Sequence, residues 1–140
     1  MTMDNTLSLL GLSKKAGLLE IGEESVNKAC RYGRACLVMT AEDTSDRQKE
    51  RTKFSAEMGG AVYIDLPYSK FDLGTLLGRG SPGIVAMTDI GMAVSFVKKL
   101  SDGNNKYENE LNELSTQLAE SKKARSRSAK SGAGKRRTKI

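Results

Sequence analysis

Ala35-Cys36-Leu37-Val38-Met39-Thr40-Ala41 is a near-continuous apolar run that stops at Glu42-Asp43. A strand of this pattern lacks the in–out alternation of a half-solvated one and is buried on both faces. It requires a sheet with helices above and below, and this requirement constrains the rest of the chain.

The flanking segments meet it. Residues 3–16 place Leu7, Leu9, Leu10 and Leu12 ahead of Lys14-Lys15-Ala16-Gly17, which predicts a first helix with Asp4 as its cap and Gly17 as its stop. Residues 18–21 are long enough only for a short strand. From Gly22 to Arg34, Val26, Ala29, Cys30 and Gly33 fall at i, i+3, i+4 and i+7, one narrow apolar stripe of a second helix. Glu23 and Glu24 complement its dipole, while Gly22 precedes a first turn whose N–H groups are free to meet an anion.

After the central run, Thr44-Ser45-Asp46 caps a third helix over 46–58, read with Phe54 and Met58 on its inner side and closed by Gly59-Gly60. Residues 61–66 form a strand. Residues 69–77 form a helix with Phe71, Leu73, Leu76 and Leu77. Gly78-Arg79-Gly80-Ser81-Pro82-Gly83 is a glycine-rich loop, residues 84–88 a strand, and Asp89 caps a helix running to Lys98-Lys99. Helix and strand alternate throughout, so residues 1–100 read as one α/β layered domain with helices on both faces of a small sheet.

Beyond it, Ser101-Asp102-Gly103-Asn104-Asn105 reads as a linker. Tyr107, Leu111, Leu114 and Leu118 then give a thin seam that predicts a marginal helix within 101–123, alone or docked. Residues 124–140 are Lys, Arg, Ser, Ala and Gly with little else, a composition that builds no core and predicts a disordered basic tail. The net charge of +6 is unevenly spread: residues 1–100 carry 13 Lys/Arg against 12 Asp/Glu, whereas residues 121–140 carry nine Lys/Arg and no acid. A basic arm of this kind suits a polyanionic partner, most often nucleic acid.

Catalytic chemistry finds little support. The chain has no histidine to act as a base, and Cys30 and Cys36 match no metal or redox spacing. The loop at 78–83 lacks the Gly-Lys-Ser/Thr of a phosphate loop, and Arg79 stands where a nucleophile elbow needs glycine. The expectation is a protein without catalytic residues, metal or cofactor, and without a small-molecule substrate. No run approaches the ~20 apolar residues of a membrane span, and the start of the chain lacks a basic n-region, so a cytoplasmic protein with no membrane partner is expected.

The motifs at Leu10-Gly11-Leu12-Ser13-Lys14-Lys15-Ala16-Gly17, Gly22-Glu23-Glu24-Ser25-Val26-Asn27-Lys28-Ala29 and residues 33–43 resemble the YlxQ-type branch of the kink-turn RNA-binding ribosomal-protein family. The likeness covers about residues 5–100. It implies a three-layer α/β/α sandwich with a small mixed four-stranded sheet. It also implies structured RNA, a kink-turn or ribosomal RNA, as partner, with the ribosome as a further one. RNA would be read by the start of the second helix and by the loop before the last strand. The family's helix motif is Gly-x-Asn-Glu-x-x-Lys. Gly22 and Lys28 match its ends, while Glu24 stands at the Asn and Ser25 at the Glu. The loop contact maps to Gly80, Ser81, Pro82 and Gly83 with Ile84 beyond. Lys14, Lys15, Arg31, Arg34 and Arg79 would supply the surrounding positive charge. A rival of another class keeps the fold with a drifted RNA face, and uses the leucine seam and tail to dock a ribosome- or translation-associated protein.

Overall fold

A computed structural model of the chain describes residues 5–78, 82–102 and 105–139, with side chains placed for 6–78, 82–102 and 105–123. The elements run α1 (Asn5–Lys15), β1 (Leu19–Ile21), α2 (Glu23–Arg31), β2 (Leu37–Thr40), α3 (Asp46–Met58), β3 (Val62–Asp65), α4 (Lys70–Leu77), β4 (Ile84–Met87), α5 (Ile90–Leu100) and α6 (Glu108–Lys139). The strands form a mixed four-stranded sheet in the order β1-β4-β2-β3. β4 is antiparallel to both β1 and β2, and β2 is parallel to β3. The central apolar run is thus an interior strand, and all four of its residues are buried.

Side-chain alternation along β2 divides the core in two. Leu37 and Met39 join Val62, Ile64, Val85 and Met87 beneath α1, α4, α5 and the start of α6. Val38 joins Ile84 and Ala86 beneath α2 and α3. This is the three-layer α/β/α sandwich. Phe96 is fully buried at the centre of the larger core, where each apolar side chain of this size is worth about 1.5–3 kcal/mol in surface removed from water.

The smaller core is built from small residues. Ala29, Ala35, Ala56, Ala61 and Ala86 fill it with Val26, Cys30, Val38 and Ile84, so α2 and α3 lie close together. Gly59 marks the closest approach: a Cβ there would fall inside contact distance of the Cys30 carbonyl and 3.0 Å from the Cys30 Cα. This closeness corrects the expected inner face of α3. Phe54 and Met58 are 63% and 74% exposed, and Thr52 and Ala56 point inward instead. The two i,i+4 pairs sit two residues apart, about 200° around the helix, and only the small pair fits the narrow gap. Gly33 is likewise not a fourth member of the α2 stripe. It lies past the helix end in a left-handed turn with φ 69°.

α6 is docked. Tyr107 and Leu114 are buried in the larger core, and Leu111 packs against it. The Tyr107 hydroxyl donates to the Asp65 carbonyl at 2.7 Å. The backbone stays helical to Lys139, where the composition of 124–140 predicts no order. That stretch has no proline and several Ala, Lys and Arg, which favour a helix once a docked turn has nucleated it.

Candidate nucleic-acid interface

Helix α2 begins at Gly22, whose backbone has φ 98° and ψ 153°. Side chains other than hydrogen are strained there, so this glycine is fixed by geometry. No side chain caps the helix, and the first intrahelical bond is Val26 N–H to the Gly22 carbonyl. The N–H groups of Glu23, Glu24 and Ser25 therefore open the helix on its positive end.

The same glycine ties the helix to the sheet. Gly22 N–H donates to the Ile84 carbonyl at 2.9 Å. One residue earlier, the Gly83 carbonyl accepts from Ala41 N–H at 2.8 Å and from the Thr44 hydroxyl at 3.1 Å. Three segments distant in sequence thus meet at one sheet end. Gly83 is needed here for space: a Cβ would lie 2.9 Å from Thr44 Oγ1 and 3.2 Å from Lys70 Cε. Thr44, buried at 4% exposure, reads in the sequence only as part of a helix cap. Its role in holding Gly83 has no signal in residue spacing.

The acidic pair at the start of α2 divides its work. The Glu23 carboxylate accepts from Arg51 of α3 at 3.1–3.2 Å and from Gln48 Nε2 at 3.4 Å. Glu23 thereby fixes the helix start against α3. Glu24 is exposed, Ser25 is half-buried, and Lys28 and Arg31 continue the exposed line of Glu24 at i+4 and i+7. Among the described residues, Lys28, Arg31 and Arg34 form no ion pair. The Arg34 guanidinium lies 6.0 Å from the ring centroid of Tyr32. Pro82 and Gly83 are half-buried at the sheet end. Ile84 contributes its carbonyl to Gly22, but its side chain is 2% exposed and belongs to the smaller core. Arg79, Gly80 and Ser81 lie outside the described residues.

Lys14 and Lys15 are placed apart from α2. They sit at the end of α1, in the helical layer on the other face of the sheet. Lys14 Nζ donates to the Leu77 carbonyl at 2.6 Å, closing the last turn of α4 just before the glycine-rich loop. Lys15 is exposed. Burial pushes the Cys30 thiol above its ordinary value; burial, then the Asp89 charge, does the same for Cys36. Both are free thiols, and among the described residues no cluster of metal-ligating side chains forms. Nor is any described helix long and apolar enough to cross a membrane.

Comparison with known proteins bears on this arrangement. No family model matches the chain. It is 32% identical over 96 residues to the RNA-binding protein YlxQ of Bacillus subtilis, covering 66% of this chain and 91% of that protein. It is 31% identical over 99 residues to the large ribosomal subunit protein eL30 of Yarrowia lipolytica, covering 70% of this chain and 91% of that protein. Among solved structures, a protein of unknown function from Bacillus halodurans superposes with a TM-score of 0.63 at 25% identity, over 69% of this chain and 96% of that one. A Giardia lamblia 15.5 kD RNA-binding protein shares the fold with a TM-score of 0.56 at 18% identity, over 73% of this chain and 92% of that one. With two such relatives each covered over 91% of its length, the chain belongs to the YlxQ-type branch of the kink-turn RNA-binding ribosomal-protein family.

Proposed function

We propose that this chain is a non-enzymatic protein that binds structured RNA, of the kink-turn kind or within the ribosome, through the start of α2 and the loop leading into β4. The observation that carries the reading is the bond from Gly22 to Ile84. It sets the uncapped N-terminus of α2 beside the residues that enter β4, and Lys28 stands exposed one turn along the helix. The free N–H groups and Lys28 supply donors and positive charge for phosphate and base edges. Glu24 and Ser25 stand at the two positions that face the same edge. Glu24 accepts hydrogen bonds only, which suits the amino group of a guanine, while Ser25 both donates and accepts. The names of the two relatives, an RNA-binding protein and a ribosomal protein, support the partner class. Such a partner places the protein in the cytoplasm, in the setting of translation, with the basic end of α6 adding grip that does not depend on sequence.

The rival reading loses part of its basis. A leucine seam free to dock a protein partner is not what α6 offers, because Leu114 is fully buried against its own domain. The discriminating experiment is a titration against a kink-turn RNA and against the same RNA with its G·A pairs replaced. Tighter binding to the intact RNA, weakened by Lys28→Ala, is expected. Identical curves for the two RNAs would remove the kink-turn reading.

A further inference from the structure

The exposed face of α2 does not end at Lys28. It runs into a groove of about 500 Å³ between the C-terminal parts of α2 and α3, lined by Asn27, Arg31, Phe54, Ser55, Met58 and Gly59. Its floor is the tight contact of Gly59 with the Cys30 backbone. Its wall is an aromatic ring 63% exposed and a methionine 74% exposed. Leu12 and Phe71 are also more than half exposed, but Phe54 and Met58 line one groove together, and exposed apolar side chains grouped in this way mark a surface that receives something.

The rim says what. Arg31 lies in the groove itself, with Lys28 one turn before it and Arg34 just after. None of the three is ion-paired among the described residues. Tyr32 adds a second ring, 67% exposed, with the Arg34 guanidinium 6.0 Å from its centroid. Lys53 of α3 instead lines a separate cleft with Tyr63, Asp65 and Tyr107. Exposed aromatic faces interleaved with unpaired cations are the chemistry that holds single-stranded nucleic acid: rings stack unpaired bases, and Arg and Lys follow the phosphates. Asn27 offers both a donor and an acceptor to a base edge. The groove is also continuous with the RNA edge above, since nine helical residues rise only about 13 Å.

We infer that this groove is a second RNA contact, which takes unpaired nucleotides flanking the structured element and stacks one base on Phe54. The inference rests on the RNA reading of α2 but not on its kink-turn form. The occupant is a single-stranded extension of the RNA bound at Gly22 and Lys28. It leaves along α2 past Arg31, and its path explains why α3 keeps a phenylalanine and a methionine on its outer face.

The test uses the full chain and four RNAs: a kink-turn with blunt ends, the same kink-turn with short unpaired extensions at both ends, and the G·A-replaced version of each. The extended RNA should bind more tightly than the blunt one, by about tenfold for one stacked base. Phe54→Ala should abolish that advantage and leave blunt binding unchanged, and Phe54→Trp should restore it. Phe54 is exposed, so both variants keep the fold, which a thermal melt verifies. Equal binding of blunt and extended RNA by the unsubstituted protein would overturn the inference. So would a Phe54→Ala curve identical to the unsubstituted one on every RNA, the result expected if the groove serves a protein. Equal binding of the intact and G·A-replaced blunt RNAs, with the extension effect kept on both backgrounds, would sink the kink-turn reading and leave this one standing. Binding to none of the four would end both.

Discussion

The N–H of Gly22 donates to the carbonyl of Ile84 across 2.9 Å, so the first turn of α2 and the first residue of β4 are held as one unit. Gly22 makes this bond from a backbone conformation, φ 98° and ψ 153°, that glycine alone adopts without strain. A Cβ at this position meets nothing within 4 Å, so any cost of substitution is conformational. Gly22→Ala should therefore lower stability by about 1–3 kcal/mol, read by denaturant unfolding. Relaxing the strain tilts the helix start away from β4, so RNA affinity should fall by more than the stability loss alone explains. A Gly22→Ala protein as stable as the original would show that the backbone there has an alternative conformation.

Lys28 tests the proposed contact without disturbing the fold. It is exposed and unpaired among the described residues, so Lys28→Ala should melt within a degree or so of the unsubstituted protein. If it meets a phosphate, the variant should bind every RNA more weakly and reduce the slope of log affinity against log salt by about one. If it reads a base, the loss should be confined to RNA with intact G·A pairs. Titrations at two salt concentrations separate the cases.

Gly59 tests the closeness of α2 and α3. A methyl group there collides with the Cys30 backbone, which cannot rotate aside. Gly59→Ala should cost about 1–3 kcal/mol through forced separation of the helices and widen the groove that holds Phe54. Gly60, with φ 75° and open space around it, provides the contrast: its alanine variant carries strain without a collision.

The order of elements, the caps at Ser45 and Asp89 and the interior strand at 37–40 are all legible from residue periodicity, because each rests on neighbours in sequence. The outward turn of Phe54 and Met58 is not. Hydrophobicity places them inside, and only the clearance between two helices, set by Ala29, Ala56 and Gly59, places them outside. The site divides along the same line. Gly22 and Lys28 stand out through a motif, whereas the grip of Thr44 on Gly83 and of Arg51 on Glu23 joins residues 39 and 28 positions apart, beyond any local pattern.

Tyr63 gives the fold a high-pH limit. Its hydroxyl lies 2.7 Å from Thr40 Oγ1 and 3.2 Å from Asp65 Oδ1. Burial first, and the Asp65 charge after it, push its pKa up to about 12 from about 10, against the lowering effect of the Thr40 bond. A raised phenol pKa means that the folded state favours the neutral form. This contribution is intact below about pH 10 and is lost as pH rises from there toward 12. The melting temperature should fall across that window, and Tyr63→Phe should flatten the fall. An unchanged decline in the Phe variant would assign the high-pH loss to other groups.

Two truncations separate the roles of α6. Ending the chain after Lys123 removes seven Lys/Arg and keeps every core side chain among the described residues. The shortened protein should melt as the full chain does, while its RNA affinity becomes less dependent on salt, each lost phosphate contact lowering the slope by about one. Ending the chain after Asn105 instead removes Tyr107 and Leu114, both buried, together with the hydrogen bond from Tyr107 to Asp65. Loss of one buried leucine alone costs about 2–5 kcal/mol, a large share of the roughly 5–15 kcal/mol that holds a domain of this size. This second truncation should unfold or melt far lower, and Leu114→Ala in the full chain should reproduce part of the drop. If the protein ending at Asn105 melted like the full chain, the packing of α6 would be ornamental to the fold. The helix would then serve RNA alone.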